Sequence, residues 1–300
     1  MTEAHVGQPF VSAEIATQPD CWRRAAELAG RSAAATPRTG ERVAVVGCGT
    51  SWFVAQCYAA LREAAGQGET DAFAASEFPR QRSYDRVVAI TRSGTTTEVL
   101  ELLRALRGGP RTVALTGDGT SPVMELADEV VLLDFADERS VVQTRFATST
   151  LALLRASLGE SVERAAADAE RALTEPLDGL VAAEQFTFLG RGWTCGLAQE
   201  AALKMREAAG AWTEAYPAME YRHGPISVTG PNRVAWMFGE PPTGLPAEVA
   251  ATGGHLRATS ADPMADLVVA QRLAVAIAHR RGLDPDNPRH LTRSVVLDQV

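Results

Sequence analysis

A chain of 300 residues is too long for one core of the commonest size and suits two domains of about 100 to 150 residues each. Its 46% hydrophobic and 22% charged residues describe a globular protein, and a net charge of −8 excludes a general nucleic-acid or anionic-membrane surface, which would repel it at long range. Four cysteines without CxxC spacing and five histidines without an HExxH or His/Cys cluster call for no metal, no disulfide framework and no cofactor.

The opening "MTEAHVGQPF" has neither a basic start nor an apolar core, so it does not read as a signal peptide, and the cytoplasm is the expected location. Residues 1–30 are expected to form an N-terminal extension, with "WRRAAELA" (22–29) as a single helix. Val43 to Leu61 runs 19 residues without a charge, the length of a membrane span. Gly47, Gly49, Thr50, Ser51 and Gln56 interrupt it, so strand, loop and buried helix fit better and no membrane partner is expected. Strand patterns follow at "RVAVVG" (42–47), "RVVAIT" (86–91), "RTVALT" (111–116) and "EVVLLD" (129–134), with helical patterns to about Ala65 and about Leu106. This alternation predicts an α/β fold with a parallel sheet. A helical pattern from about Val141 to Leu173, broken near Gly159, leads to "FTFLGRG" (186–192), which restarts the series. "RVAWMFG" (233–239) and "GHLRATS" (254–260) read as further strands and Ala265 to Arg281 as a closing helix. The expected division is 31–178 for the first domain and 179–300 for the second with a C-terminal tail.

Ligands of open parallel sheets sit beyond the carboxyl ends of the strands, where loops enter helix N-termini with unpaired N–H groups. "TRSGTT" (91–96) lies there and offers the hydroxyls of Thr91, Ser93, Thr95 and Thr96, with Arg92, to a small anion such as phosphate. Taken alone, this loop fits equally a helix cap built on Thr95 or Thr96 with Glu98. "GCGTSWF" (47–53), again between strand and helix, shifts the balance toward a site. It is neither GxGxxG nor a P-loop, which disfavours a dinucleotide or nucleoside triphosphate and leaves a phosphomonoester.

These loops, with "ERSVVQTRFAT" (138–148), "LGRG…EAALKMREAA…EAYPAMEYRHGP" (189–225) and "NPRHLTRSVVL" (287–297), occur in an order that resembles the sugar isomerase (SIS) family. The similar branch is the double-domain one, containing the isomerase half of glucosamine-6-phosphate synthase and amino-sugar phosphate isomerases, deaminases and deglycases. The resemblance implies two flavodoxin-like SIS domains, each a parallel sheet flanked by helices, with the tail over the active site. It further implies Ser51, Thr91, Arg92, Ser93 and Thr96 at the phosphate, and Thr50, Val141, Gln143 and Arg293 toward the sugar. Glu207 would be the base moving a proton between C1 and C2, Lys204 its neighbour, and His223 the residue assisting ring opening across a homodimer interface.

Read by spacing alone, Glu200, Lys204 and Glu207 share one helix face and suit a surface ion-pair row. Lys204 is nevertheless the single lysine among 29 basic residues, as if a compact ammonium rather than a planar fork were needed there. His223 stands in "YRHGP", where Gly224 and Pro225 stop a helix and display the ring; His5, His255, His279 and His290 have no comparable setting. Arg293 occupies the position of the synthase's imine-forming lysine, and arginine cannot act as an amine nucleophile. Together with the absence of a preceding glutaminase portion, this argues against the complete synthase activity unless another subunit supplies it. The expectation is an enzyme on hexosamine 6-phosphates that isomerises and deaminates, or dehydrates. The alternative is a sugar-phosphate sensor without turnover. A flavin or nucleotide protein on the same sheet would leave Glu207, His223 and the tail without a use.

Overall fold

The computed structural model describes residues 9–297; His5 and the first eight residues of the expected extension lie outside the described residues. Two helices, α1 (Phe10–Ala16) and α2 (Gln18–Arg31), precede the first sheet, where the sequence suggested one. The first unit then runs β1 (Val43–Gly47), α3 (Thr50–Ala64), β2 (Thr70–Ala74), β3 (Arg86–Ile90), α4 (Thr97–Ala105), β4 (Arg111–Thr116) and β5 (Glu129–Leu132). Helices α5 (Arg145–Ser157) and α6 (Glu163–Ala172) connect it to β6 (Gln185–Gly190), α7 (Thr194–Ala209), β7 (Thr213–Pro217), β8 (Arg233–Met237), α8 (Leu245–Ala251), β9 (His255–Ala258) and α9 (Pro263–Arg280).

All strand pairs are parallel, in the orders β2-β1-β3-β4-β5 and β7-β6-β8-β9. The second sheet therefore repeats the strand order of the first without its last strand. Alternation within the apolar runs decides which side each residue faces. Val43, Val45, Val88, Ile90, Val113 and Leu115 join a core that also takes Phe186, Phe188 and Trp236 of the second sheet. Ala44, Val46, Val87, Ala89 and Ala114 face the other way, onto α4. Both faces are covered, each buried Val, Leu or Phe side chain contributing about 1.5–3 kcal/mol, and the site can only open at the sheet ends.

Strands β2 ("TDAFA") and β7 ("TEAYP") had no strand pattern in the sequence because both are half-exposed edge strands. Residues 141–144 do not continue α5 as the helical pattern suggested. The buried Glu138 carboxylate accepts hydrogen bonds from the backbone N–H groups of Thr144 (2.6 Å) and Arg145 (2.8 Å), which starts the helix there and leaves Val141 and Gln143 in a loop. The uncharged stretch from Val43 to Leu61 is strand, turn and helix, and no helix of the described residues is long and apolar enough to cross a membrane.

Candidate active site

At the end of β1 the chain turns at once into α3. A Cβ on Gly47 would lie 2.7 Å from Cβ of Ser51, so only glycine allows that turn. Thr50 and Ser51 are thereby buried in the first turn of the helix. At the end of β3, Thr91, Arg92 and Ser93 are likewise buried before α4 begins. The helix-cap reading of this loop fails: Thr96 is at the N-cap position but its side chain accepts no cap hydrogen bond. The Thr95 hydroxyl instead lies 2.9 Å from Ser93 Oγ and 2.9 Å from Ser294 Oγ. Thr91 Oγ1 is buried without a partner among the described residues, which leaves it available to a ligand.

One cavity of about 200 Å³ is lined by Thr50, Ser51, Thr91, Arg92, Ser93, Thr96, Val141, Gln143, Glu207 and Arg293, so ten of the twelve expected site residues converge on it. Lys204 is buried behind this wall, and His223 lies on an exposed turn (Glu220–His223) and does not line it. Two arginines also hold the neighbouring loop and tail. The terminal nitrogens of Arg92 donate to the carbonyls of Ser140 (3.1 Å), Val141 (3.2 Å) and Arg293 (3.0 Å), while its buried Nε has no partner among the described residues. Burial pulls its pKa down, with the Glu138 charge opposing. The Arg293 guanidinium donates to the Asp137 carboxylate at 2.5 Å and to the Glu138 carbonyl, so this side chain pins the tail. Ser294 also lines the cavity and was not anticipated; its signal was a hydroxyl directly after Arg293.

The second sheet contributes through α7, which packs against α3. A Cβ on Gly196 would meet the Phe53 carbonyl oxygen at 2.4 Å and Cys57 Sγ at 2.5 Å, so the glycine lets the helices touch. Gln199 bonds Gln56 at 3.0 Å and Lys204 bonds Thr50 at 3.0 Å, an order of contacts that makes the two helices antiparallel. The later turns of α7 thus reach the hydroxyl-rich start of α3.

The surface ion-pair account is overturned there: Lys204 is 1% and Glu200 2% exposed. Lys204 Nζ donates to Glu207 Oε2 at 2.5 Å and to Thr50, and stands 3.5 Å from Glu200. Burial works against its charge, but the two carboxylates more than offset this and hold its pKa above the usual lysine value. Glu200 has no hydrogen-bond partner among the described residues, and burial chiefly, with Glu207 adding to it, pushes its pKa up to about 7.

Comparison with known proteins agrees with this geometry. Residues 38–158 match the SIS domain family. Among its curated relatives is glutamine–fructose-6-phosphate aminotransferase (isomerizing) of Gloeobacter violaceus, 28% identical over 317 aligned residues that cover 86% of this chain and 52% of the relative. The chain therefore spans about half the length of the relatives it matches. Among solved structures, glucosamine-6-phosphate deaminase of Thermotoga maritima superposes with a TM-score of 0.77 at 24% identity, covering 96% of this chain and 100% of that one. The C-terminal domain of glucosamine-fructose-6-phosphate aminotransferase from Francisella tularensis gives 0.77 at 20% identity, with the same coverage. At these identities the structures establish the shared fold.

Proposed function

We propose that the protein is a cytoplasmic enzyme of hexosamine 6-phosphates, with the phosphate held at the first sheet's loops and Glu207 moving a proton at C1 and C2 of the open-chain sugar. The observation that carries this reading is the convergence on one cavity of an unpartnered buried hydroxyl, Thr91 Oγ1, and a carboxylate, Glu207, fixed at 2.5 Å by a buried ammonium. Ser51, Ser93 and Thr96 would complete the phosphate contacts with backbone N–H groups at the starts of α3 and α4. Arg92 braces the loop and tail through its terminal nitrogens and lends its positive charge to the anion. A positioned base of this kind contributes about 10²- to 10⁴-fold, and the anchored phosphate lends binding energy from the non-reacting end.

Glu207 takes the C2 proton and leaves an enediol-like intermediate. With a free amine, return of the proton at C1 gives a C2 imine, whose hydrolysis releases ammonia and a ketose 6-phosphate. With an acylated nitrogen, the intermediate expels the C3 hydroxyl as water and leaves an unsaturated sugar. His223 is exposed and outside its own chain's cavity, which supports a homodimer in which a second copy supplies it for ring opening. Arg293 offers no amine for an imine with the substrate, so glutamine-dependent ammonia transfer is left out of the proposal.

Proton NMR in D₂O with glucosamine 6-phosphate and, separately, N-acetylglucosamine 6-phosphate tests the reading. Loss of the C2 proton with product formation, absent in Glu207→Gln, is expected, and the product names the reaction. Binding without any loss of that signal would overturn Glu207 as the base on these sugars and leave a sugar-phosphate sensor or a different phosphosugar substrate.

A further inference from the structure

Besides Glu207, the cavity wall outside the hydroxyl loops comes from Val141 and Gln143, in the segment 138–143, and from residues 291–295 of the tail, which runs from 284 to 297. Both segments are tied to α1, a helix that precedes the SIS domain match. From α1, the buried Glu14 carboxylate accepts the backbone N–H of Arg139 at 2.5 Å and that of Ser140 at 3.4 Å, and also the Ser140 hydroxyl. This fixes the loop one residue before Val141, at the side opposite the Arg92 brace. From the tail, the Asp286 carboxylate accepts the N–H groups of Phe10 (2.7 Å) and Val11 (2.8 Å), the first donors of α1. The Asp286 carbonyl accepts the N–H of Val141 at 3.1 Å. A single helix thus holds the loop through one carboxylate and the root of the tail through another, while neither carboxylate lines the cavity.

We infer that Glu14 and Asp286 are positioning residues that set the sugar-side wall and the tail over a bound phosphosugar, leaving the phosphate loops to fold without them. This inference rests on the reading of the cavity as a phosphosugar site. The phosphate loops are built by β1, β3 and the glycine turns, none of which bonds Glu14 or Asp286. Sugar binding and phosphate binding should therefore separate when these carboxylates change.

The test uses the full chain with Glu14→Gln and, at the less buried position, Asp286→Asn. Dissociation constants are measured for inorganic phosphate and for glucosamine 6-phosphate, and trypsin cleavage after Arg293 in the tail is compared with cleavage after the exposed Arg82 in the same chain. Loss of one charge-assisted hydrogen bond is expected to weaken the phosphosugar by ~10-fold and to raise the Arg293-to-Arg82 cleavage ratio similarly, with phosphate affinity unchanged within about twofold. Equal weakening of phosphate and phosphosugar, or no change in either, overturns the inference, as does an unchanged cleavage ratio. If the parent protein binds no sugar phosphate, the functional reading fails, and the cleavage ratio still decides whether the carboxylates hold the tail.

Discussion

The two sheets share a strand order but use it differently. In both, a glycine ends the first strand and the helix starts immediately: a Cβ on Gly47 would meet Ser51 at 2.7 Å, and one on Gly190 would meet the Thr194 carbonyl oxygen at 2.3 Å. The glycine is thus a requirement of the strand-to-helix turn, common to both units. The hydroxyls are not. Thr194 satisfies its own loop, accepting from the Arg191 N–H at 2.8 Å and donating to the Phe238 carbonyl at 3.1 Å, whereas Thr91 Oγ1 has no partner among the described residues. The first sheet leaves a buried loop hydroxyl unpaired among the described residues; the second closes its loop and brings the side of α7 to the same cavity.

That division of labour sets the expected outcomes. Glu207→Gln should slow C2 proton exchange by about 10²- to 10⁴-fold while phosphosugar affinity stays within a fewfold, measured by NMR and calorimetry. Ser51→Ala or Thr91→Val should do the reverse, weakening binding by ~10- to 100-fold through loss of a hydrogen bond to a charged group. Gly196→Ala attacks the joint between the units. It should lower stability by about 1–3 kcal/mol in denaturant titration and reduce turnover with it, because α7 must move off α3.

The buried Glu200 beside Lys204 adds a pH signature. Between its ordinary range and about 7, Glu200 keeps its proton in the folded state and loses it on unfolding, so stability falls as pH rises through that window. Glu200→Gln has no such proton, and its melting temperature relative to the parent should rise by a few degrees from pH 5 to pH 8. Smallest of all, Thr194→Val should leave phosphosugar affinity unchanged and cost about 1–3 kcal/mol of stability; a loss of affinity would mean that the second loop also serves the ligand.

Much of this was legible in the sequence, for identifiable reasons. Both-face burial wrote β1, β3 and β4 as continuous apolar runs, and the loops after β1 and β3 announced themselves by hydroxyls at strand ends. Edge strands β2 and β7 carried too little burial to show a period. The burial of Glu200 and Lys204 was hidden because the spacing that builds an exposed ion-pair row also builds a buried one, and only the contact with α3 tells them apart. The turn of Arg92 toward the tail was equally unreadable, since its three carbonyl partners lie 48 to 201 residues away.

The most direct test of the division between binding and chemistry is a ³¹P NMR titration of glucosamine 6-phosphate with Glu207→Gln protein. A shifted or broadened phosphate signal at parent-like affinity, with the sugar unconsumed, is the predicted result. Loss of phosphate binding, or consumption at the parent rate, would contradict it.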